Sequence, residues 1–208
     1  MTLLTEWLTV LGVGCIAVMS PGPNFVMTLR NSLSHSRRAG IYTAIGLAVG
    51  DLIHIAYCLV GIGVLIAQSI LLFNIIKWLG AIYLIYLGVQ SLQANPNTAF
   101  SQVSTTSALH PIAAFRVGLL TCILNPKVTL FFLAFFTQLI HPSTPLAMQI
   151  FYGLTVAVIE LVWFSIVALV VSQQVIKDRF LAISHWIERV TGVVLIGLGI
   201  RVAIAQDS

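Results

Sequence analysis

The chain has 208 residues, of which 59% are hydrophobic and only 8% charged, with a formal net charge of +4. A soluble domain carries about 25% charged residues, so a soluble globular fold is excluded and the composition is that of an integral membrane protein. The positive excess forms no basic stripe with interleaved aromatics, which excludes a nucleic-acid partner. Without a Gly-rich phosphate loop, a nucleophile elbow or an HExxH motif, the reading is no enzyme, no cofactor and no metal site.

A spanning helix needs about 20 apolar residues. Stretches of that length run over Leu3–Met27, Ala39–Ala67, Ile70–Ser91, Phe115–Phe136, Leu146–Ser172 and Ile183–Ile204. They predict six transmembrane helices. The short alternating segments of a barrel are absent. The first span has Glu6 as its only charge, no basic n-region and no small-residue cleavage site before Ser20, so it is read as a retained helix and not a signal peptide.

That first span runs "WLTVLGVGCIAVM" straight into "SPGPN", residues 20–24. Pro21 and Pro23 each remove a backbone donor, and Gly22 weakens the helix. Broken backbone at membrane depth is tolerated where the freed groups face a wet cavity or other protein. A half-helix starting after Pro23 would offer free amides to an anion, and the carbonyls ending the preceding half would attract a cation. A zwitterion matches both. The plainer reading is a proline kink relieved by Ser20, and at the second break by Asn125.

The second span carries Asp51 and, three residues on, His54 on the same helical face. Asp51 lies roughly 18–21 Å into its span, near the bilayer centre, at 1.5 Å per residue. Ionisable residues there are expensive and face a cavity or a partner. His54 reads either as a proton relay or as a hydrogen-bonded core histidine, and two ligands are too few for a metal.

Between the third and fourth spans, residues 92–114 are polar, uncharged up to the fourth span and rich in Ser, Thr, Asn and Pro, as expected of a flexible cytoplasmic connection. The fourth span is broken in turn, at "LNPK", by Asn125, Pro126 and Lys127. The fifth span holds Glu160, as deep as Asp51. Lys127 could neutralise either acid, and the sequence leaves open which one. Cys15, Cys58 and Cys122 lie inside spans without a CxxC and read as small packing residues.

"YLIYLGVQ" (83–90) is echoed by "VLIGLGIR" (194–201), "GLAVGDLIH" (46–54) by "GLTVAVIEL" (153–161), and Pro23 by Pro126. The unit is three spans, repeated: 1–91 and 115–208. Three is odd, so the second copy is inverted, the plan of many secondary transporters whose sites lie at the midplane between broken helices. Arg30, Arg37, Arg38, Arg116, Lys177, Arg179 and Arg189 flank the first, third and fifth connections, against Lys77 and Arg201 opposite. This bias puts those connections in the cytoplasm and both termini outside.

"SPGPNFVMTLRNSLSHSRRAGIYTAIGLAVGDLIH" and "LLTCILNPKVTLFFLAFFTQLI" resemble the two signatures of the lysine-exporter (LysE) superfamily, in its homoserine/threonine-efflux (RhtB-type) branch. The likeness extends over essentially the whole chain, and Glu160 resembles the fifth-span acid of threonine-type members. The resemblance implies a bacterial inner-membrane exporter of small neutral amino acids, such as threonine, homoserine or leucine, driven by proton antiport. Implied substrate positions are Pro21, Gly22, Pro23, Asn24, Asn125, Pro126 and Lys127. Proton coupling is expected at Asp51, Glu160 and His54, of which Asp51 and His54 rest on the physical argument alone. Partners are then the amino acid, protons and the lipid bilayer, with monomer and homodimer both open. Two alternatives are a divalent-metal exporter and a transmembrane thiol-disulfide electron carrier. The second would want a cysteine beside each proline, where Gly22 and Lys127 stand.

Overall fold

A computed structural model describes residues 3–68, 109–138, 144–171 and 173, with isolated positions between 75 and 93 and between 186 and 200. Apart from those isolated positions, the expected third span (Ile70–Ser91) and sixth span (Ile183–Ile204) lie outside the described residues, as does most of the 92–114 connection, and hence the three-span repeat as a whole.

Among the described residues the structure is all-helical. Its elements are α1 (Leu3–Met19), α2 (Pro23–Ser34), α3 (Arg37–Gln68), α4 (Pro111–Ile123), α5 (Pro126–Gln138) and α6 (Leu146–Ile166), the last continued by a π-helical segment, Val167–Val171. The helix ends follow the backbone chemistry of the sequence. α1 stops at Met19 because neither Pro21 nor Pro23 can donate to the preceding turn. α2, α4 and α5 each begin with the proline that tolerates the first helical position. α4 starts at Pro111, inside the stretch read as connection, with the His110 side chain accepting from the Ile112 amide.

α1 and α2 meet at 57°, and so do α4 and α5. α3 over Arg37–Gly61 and α6 over Leu146–Val170 are each long and apolar enough to cross a membrane, and each bent pair also qualifies if it is one span. That makes up to four candidate spans among the described residues. α2 runs on to Ser34, beyond the predicted limit of the first span at Met27. Its polar side chains, Asn24, Thr28, Asn31 and Ser32, are buried, not solvated, so the helix continues past the apolar stretch.

Among the described residues a set of polar side chains is buried within an otherwise apolar core, and large apolar side chains are exposed on the outside. On α6, Ile150, Leu154, Val158, Val162 and Ile166 are exposed at four-residue spacing, while Tyr152, Val156, Glu160 and Phe164 form the buried stripe. A helix apolar on both faces with an acid on the inner one suits lipid, not water.

α3 is the central element. It crosses α4 in backbone contact: a Cβ on Gly46 would strike the Phe115 carbonyl, and one on Gly118 the Thr43 carbonyl. Small residues at such a crossing let two helices in lipid approach closely. One turn further on, Gly50 lies against Cys122, which delivers the Cys122 thiol to Asp51. α1 is fastened to α6 by Tyr152 donating to Glu6 Oε2 (3.0 Å) and Trp7 Nε1 donating to Thr155 Oγ1 (3.4 Å).

Candidate functional site

The two breaks face each other. Asn125 Nδ2 donates to Asn24 Oδ1 at 3.0 Å, and Lys127 Nζ crosses from the second break to Ser20 Oγ at 2.8 Å and the Pro21 carbonyl at 3.5 Å. Lys127 stands in the first turn of α5, where its own helix dipole disfavours a cation. Its side chain carries the charge to the C-terminal end of α1, where the dipole favours one.

The breaks are finished differently. Asn125 caps α5, its Oδ1 accepting from the Lys127 amide at 3.0 Å. α2 starts at Gly22–Pro23 with no side-chain cap. Gly22 has extended backbone (φ −176°), which any residue adopts. A Cβ there would meet the Lys127 ammonium at 3.5 Å, an ordinary contact, so the residue lies directly beside that charge.

Asn24 passes the contact on, its Nδ2 donating to Glu160 Oε1 at 2.8 Å. Because a carboxylate can only accept, the amide orientations follow in sequence: Asn24 donates to Glu160 and so offers its oxygen to Asn125. A cavity of about 50 Å³ opens here, lined at the breaks by Ser20, Gly22, Asn24, Asn125 and Lys127, and from α6 by Glu160. Elsewhere its wall is Ala17, Val18, Phe25, Val128, Phe131, Phe132, Val156 and Phe164. Of the expected substrate positions, Gly22, Asn24, Asn125 and Lys127 therefore line one cavity. Pro21 stands behind it as a carbonyl contact of Lys127. Pro23 and Pro126 are exposed helix starts that set the bends and do not line it.

The three expected coupling residues separate. Glu160 lines the cavity, and so is the acid that shares it with Lys127. Asp51 lies behind, fully buried, its Oδ1 accepting from Cys122 Sγ at 3.4 Å and its Oδ2 without a hydrogen-bond partner among the described residues. One oxygen each of Asp51 and Glu160 and the Cys122 sulfur lie within 4.8 Å of one another. They are close enough to share a cation, a proton included.

His54 is not in this group. Its Nε2 meets the Cys122 carbonyl at 3.1 Å and its Nδ1 the Tyr57 hydroxyl. The carbonyl only accepts, so Nε2 carries the proton and Nδ1 accepts from Tyr57. The reason lies in the break: Pro126 has no amide to give the Cys122 carbonyl four residues back, and the Asn125 amide (3.0 Å) and His54 fill its place.

Two features escaped the sequence reading. Cys122 replaces His54 beside Asp51, and Phe164 and Val156, one turn either side of Glu160, supply the apolar wall. Spacing along α6 could have found the wall, since both share the Glu160 face. Nothing local could have found the thiol–carboxylate contact, which depends on the α3–α4 crossing.

A buried acid, a lysine and two facing helix breaks around one cavity, in a chain that is apolar outside, define the class: a membrane-embedded translocator. Residues 15–206 match the family of LysE type translocators, and the chain belongs to that family. A leucine efflux protein of Salmonella choleraesuis is 29% identical over 208 residues, covering 98% of this chain and 97% of that protein. An uncharacterized membrane protein of Vibrio cholerae is 38% identical over 138 residues, 66% of each chain, and the membrane protein YrhP of Bacillus subtilis is 27% identical over 201 residues, covering 93% of this chain and 96% of YrhP. No solved structure matches.

Proposed function

We propose that the protein exports small neutral amino acids, of the threonine, homoserine or leucine kind, across the bacterial inner membrane by proton antiport. The observation that carries this reading is the shared cavity: Lys127 and Glu160, a base and an acid, line one chamber between two helix breaks. A zwitterion has the complementary pair of charges. Its carboxylate goes to Lys127 Nζ, beside the N-terminal end of α2, where the helix dipole favours an anion. Its ammonium goes to Glu160, held ready by Asn24.

Asp51 and Glu160 are the coupling acids. Two buried carboxyl groups this close do not both carry a charge without a counter-ion. A proton arriving on the pair from outside removes the charge that holds the ammonium and frees the substrate outside; the proton then leaves to the cytoplasm as the next substrate binds there and the charge is restored. His54 orders the second break in this scheme. The working unit is six spans in two inverted three-helix repeats, 1–91 and 115–208, joined by the cytoplasmic connection 92–114, with both termini outside. Rocking of the repeats alternates access. The family membership and the full-length similarity to a protein named for leucine efflux support the reading.

The test is efflux of a panel of labelled amino acids from vesicles, with and without a proton gradient. Gradient-dependent release of neutral amino acids is expected. Transport that ignores the gradient would remove the antiport step, and no transport of any amino acid would remove the reading. The Asp51, Cys122 and Glu160 donors favour one second reading, export of a divalent metal. A large effect on metal tolerance with none on amino acids would put it first.

A further inference from the structure

The cavity has two kinds of wall, and they divide the substrate between them. Among the described lining residues, every side chain that can donate or accept a hydrogen bond lies at the breaks or on Glu160, and these groups already bind one another through Asn24, Asn125 and Lys127. Ser20, the one hydroxyl among them, is held on Lys127. The remaining surface is hydrocarbon and aromatic ring: Val18, Val156 and Phe164 around the waist, with Phe131 and Phe132 stacked edge to face at 5.5 Å on α5. Helix backbone behind these side chains is paired internally and offers nothing.

Given the export reading, on which this step rests, the α-carboxylate and α-ammonium take up the polar groups. The side chain is then left facing valine and phenylalanine. We infer that the substrate is an α-amino acid with an apolar side chain, and that hydroxylated ones are selected against. A hydroxyl against this wall would lose its water and find no partner. The wall cannot reject an isostere absolutely. Discrimination of roughly tenfold to a hundredfold is what an apolar pocket achieves against an added hydroxyl.

The experiment is counterflow in proteoliposomes of the purified full chain, with labelled leucine outside and competitors inside. The decisive competitors are isosteric pairs, valine with threonine and norvaline with homoserine, because each pair holds size constant and changes polarity alone. The apolar member is expected to drive exchange at about one tenth the concentration of its partner, or less. Threonine or homoserine matching or beating its isostere would overturn the inference and leave amino-acid export standing. No exchange with any amino acid would overturn both. Val156→Thr places a hydroxyl on the wall without changing its shape and is expected to cut the discrimination to about threefold or less, since the added group partners the substrate hydroxyl. Should that variant fail to fold, Phe131→Tyr puts the hydroxyl on the same wall from another helix. Unchanged discrimination in a folded variant of either kind would place the side chain elsewhere and sink the assignment.

Discussion

The side-chain amides of Asn24 and Asn125, one from each helix break, are hydrogen-bonded to each other at 3.0 Å inside the protein. Each is tied in turn to a charged residue of the cavity, Asn24 to the Glu160 carboxylate and Asn125 to the Lys127 backbone amide. The pair thus joins the two halves of the site by direct contact. Removing either amide strands its partner, and an unsatisfied buried polar group costs about 1–3 kcal/mol. Asn24→Ala and Asn125→Ala are each expected to destabilise the protein by that order, and the double variant by less than their sum. Thermal unfolding in detergent of both singles and the double measures the coupling. Strict additivity would show that the contact carries no energy.

Lys127 bridges Ser20 and the Pro21 carbonyl across the breaks. Lys127→Ala deletes both contacts and the only cation lining the cavity among the described residues. Efflux is expected to fall by about two orders of magnitude or more, the scale of about 3 kcal/mol of lost binding to a buried charged group. Lys127→Arg keeps the charge without the compact ammonium and is expected to be intermediate. Normal transport by the alanine variant at normal expression would reduce Lys127 to a bystander.

Asp51→Asn and Glu160→Gln each remove one acid of the buried pair while keeping its size. Efflux that varies with pH in the parent protein is expected to become flat in both. Glu160→Gln should also weaken substrate binding, since Glu160 lines the cavity and Asp51 does not. If both variants retain the parent pH profile, the acids are not the coupling groups.

Gly46 and Gly118 sit where α3 and α4 touch through their backbones. Alanine at either position must push the helices apart, an overpacking cost of about 1–3 kcal/mol, and should displace Cys122 from Asp51. Gly12 has nothing within 4 Å of where its Cβ would be. Gly12→Ala is therefore the matched control, expected to be neutral or mildly stabilising. Equal loss of melting temperature at all three positions would count against the close crossing.

The three cysteines are free thiols. Replacing all of them with alanine is expected to leave transport largely intact, at a stability cost of about 1 kcal/mol, the Cys122 contact with Asp51 being the main loss. A fully inactive but folded triple variant would return the thiol-disulfide reading to consideration.

Much of this protein could be read from local chemistry. Apolar run length marks α3 and α6 as spans, since bilayer thickness acts on every residue in the same way. Prolines at 21, 23 and 126 mark the helix breaks, because a missing amide acts within four residues of itself. Asp51, Lys127 and Glu160 stand out as charges where charges are expensive. The extent of α2 past the apolar stretch is not legible in hydropathy, because its Asn and Thr side chains are buried against other helices.

What tertiary structure alone decided is which of these groups meet. Asn24 reaches Asn125 and Glu160, and Lys127 reaches Ser20, across more than a hundred residues of chain. His54, three residues from Asp51 on the same helix face, turns instead to the carbonyl that Pro126 left unpaired, and Cys122 takes the place beside the acid. No periodicity encodes such choices. The last of them follows from how closely α4 packs on α3, and that closeness rests on two glycines whose lack of a side chain has meaning only when the other helix is present.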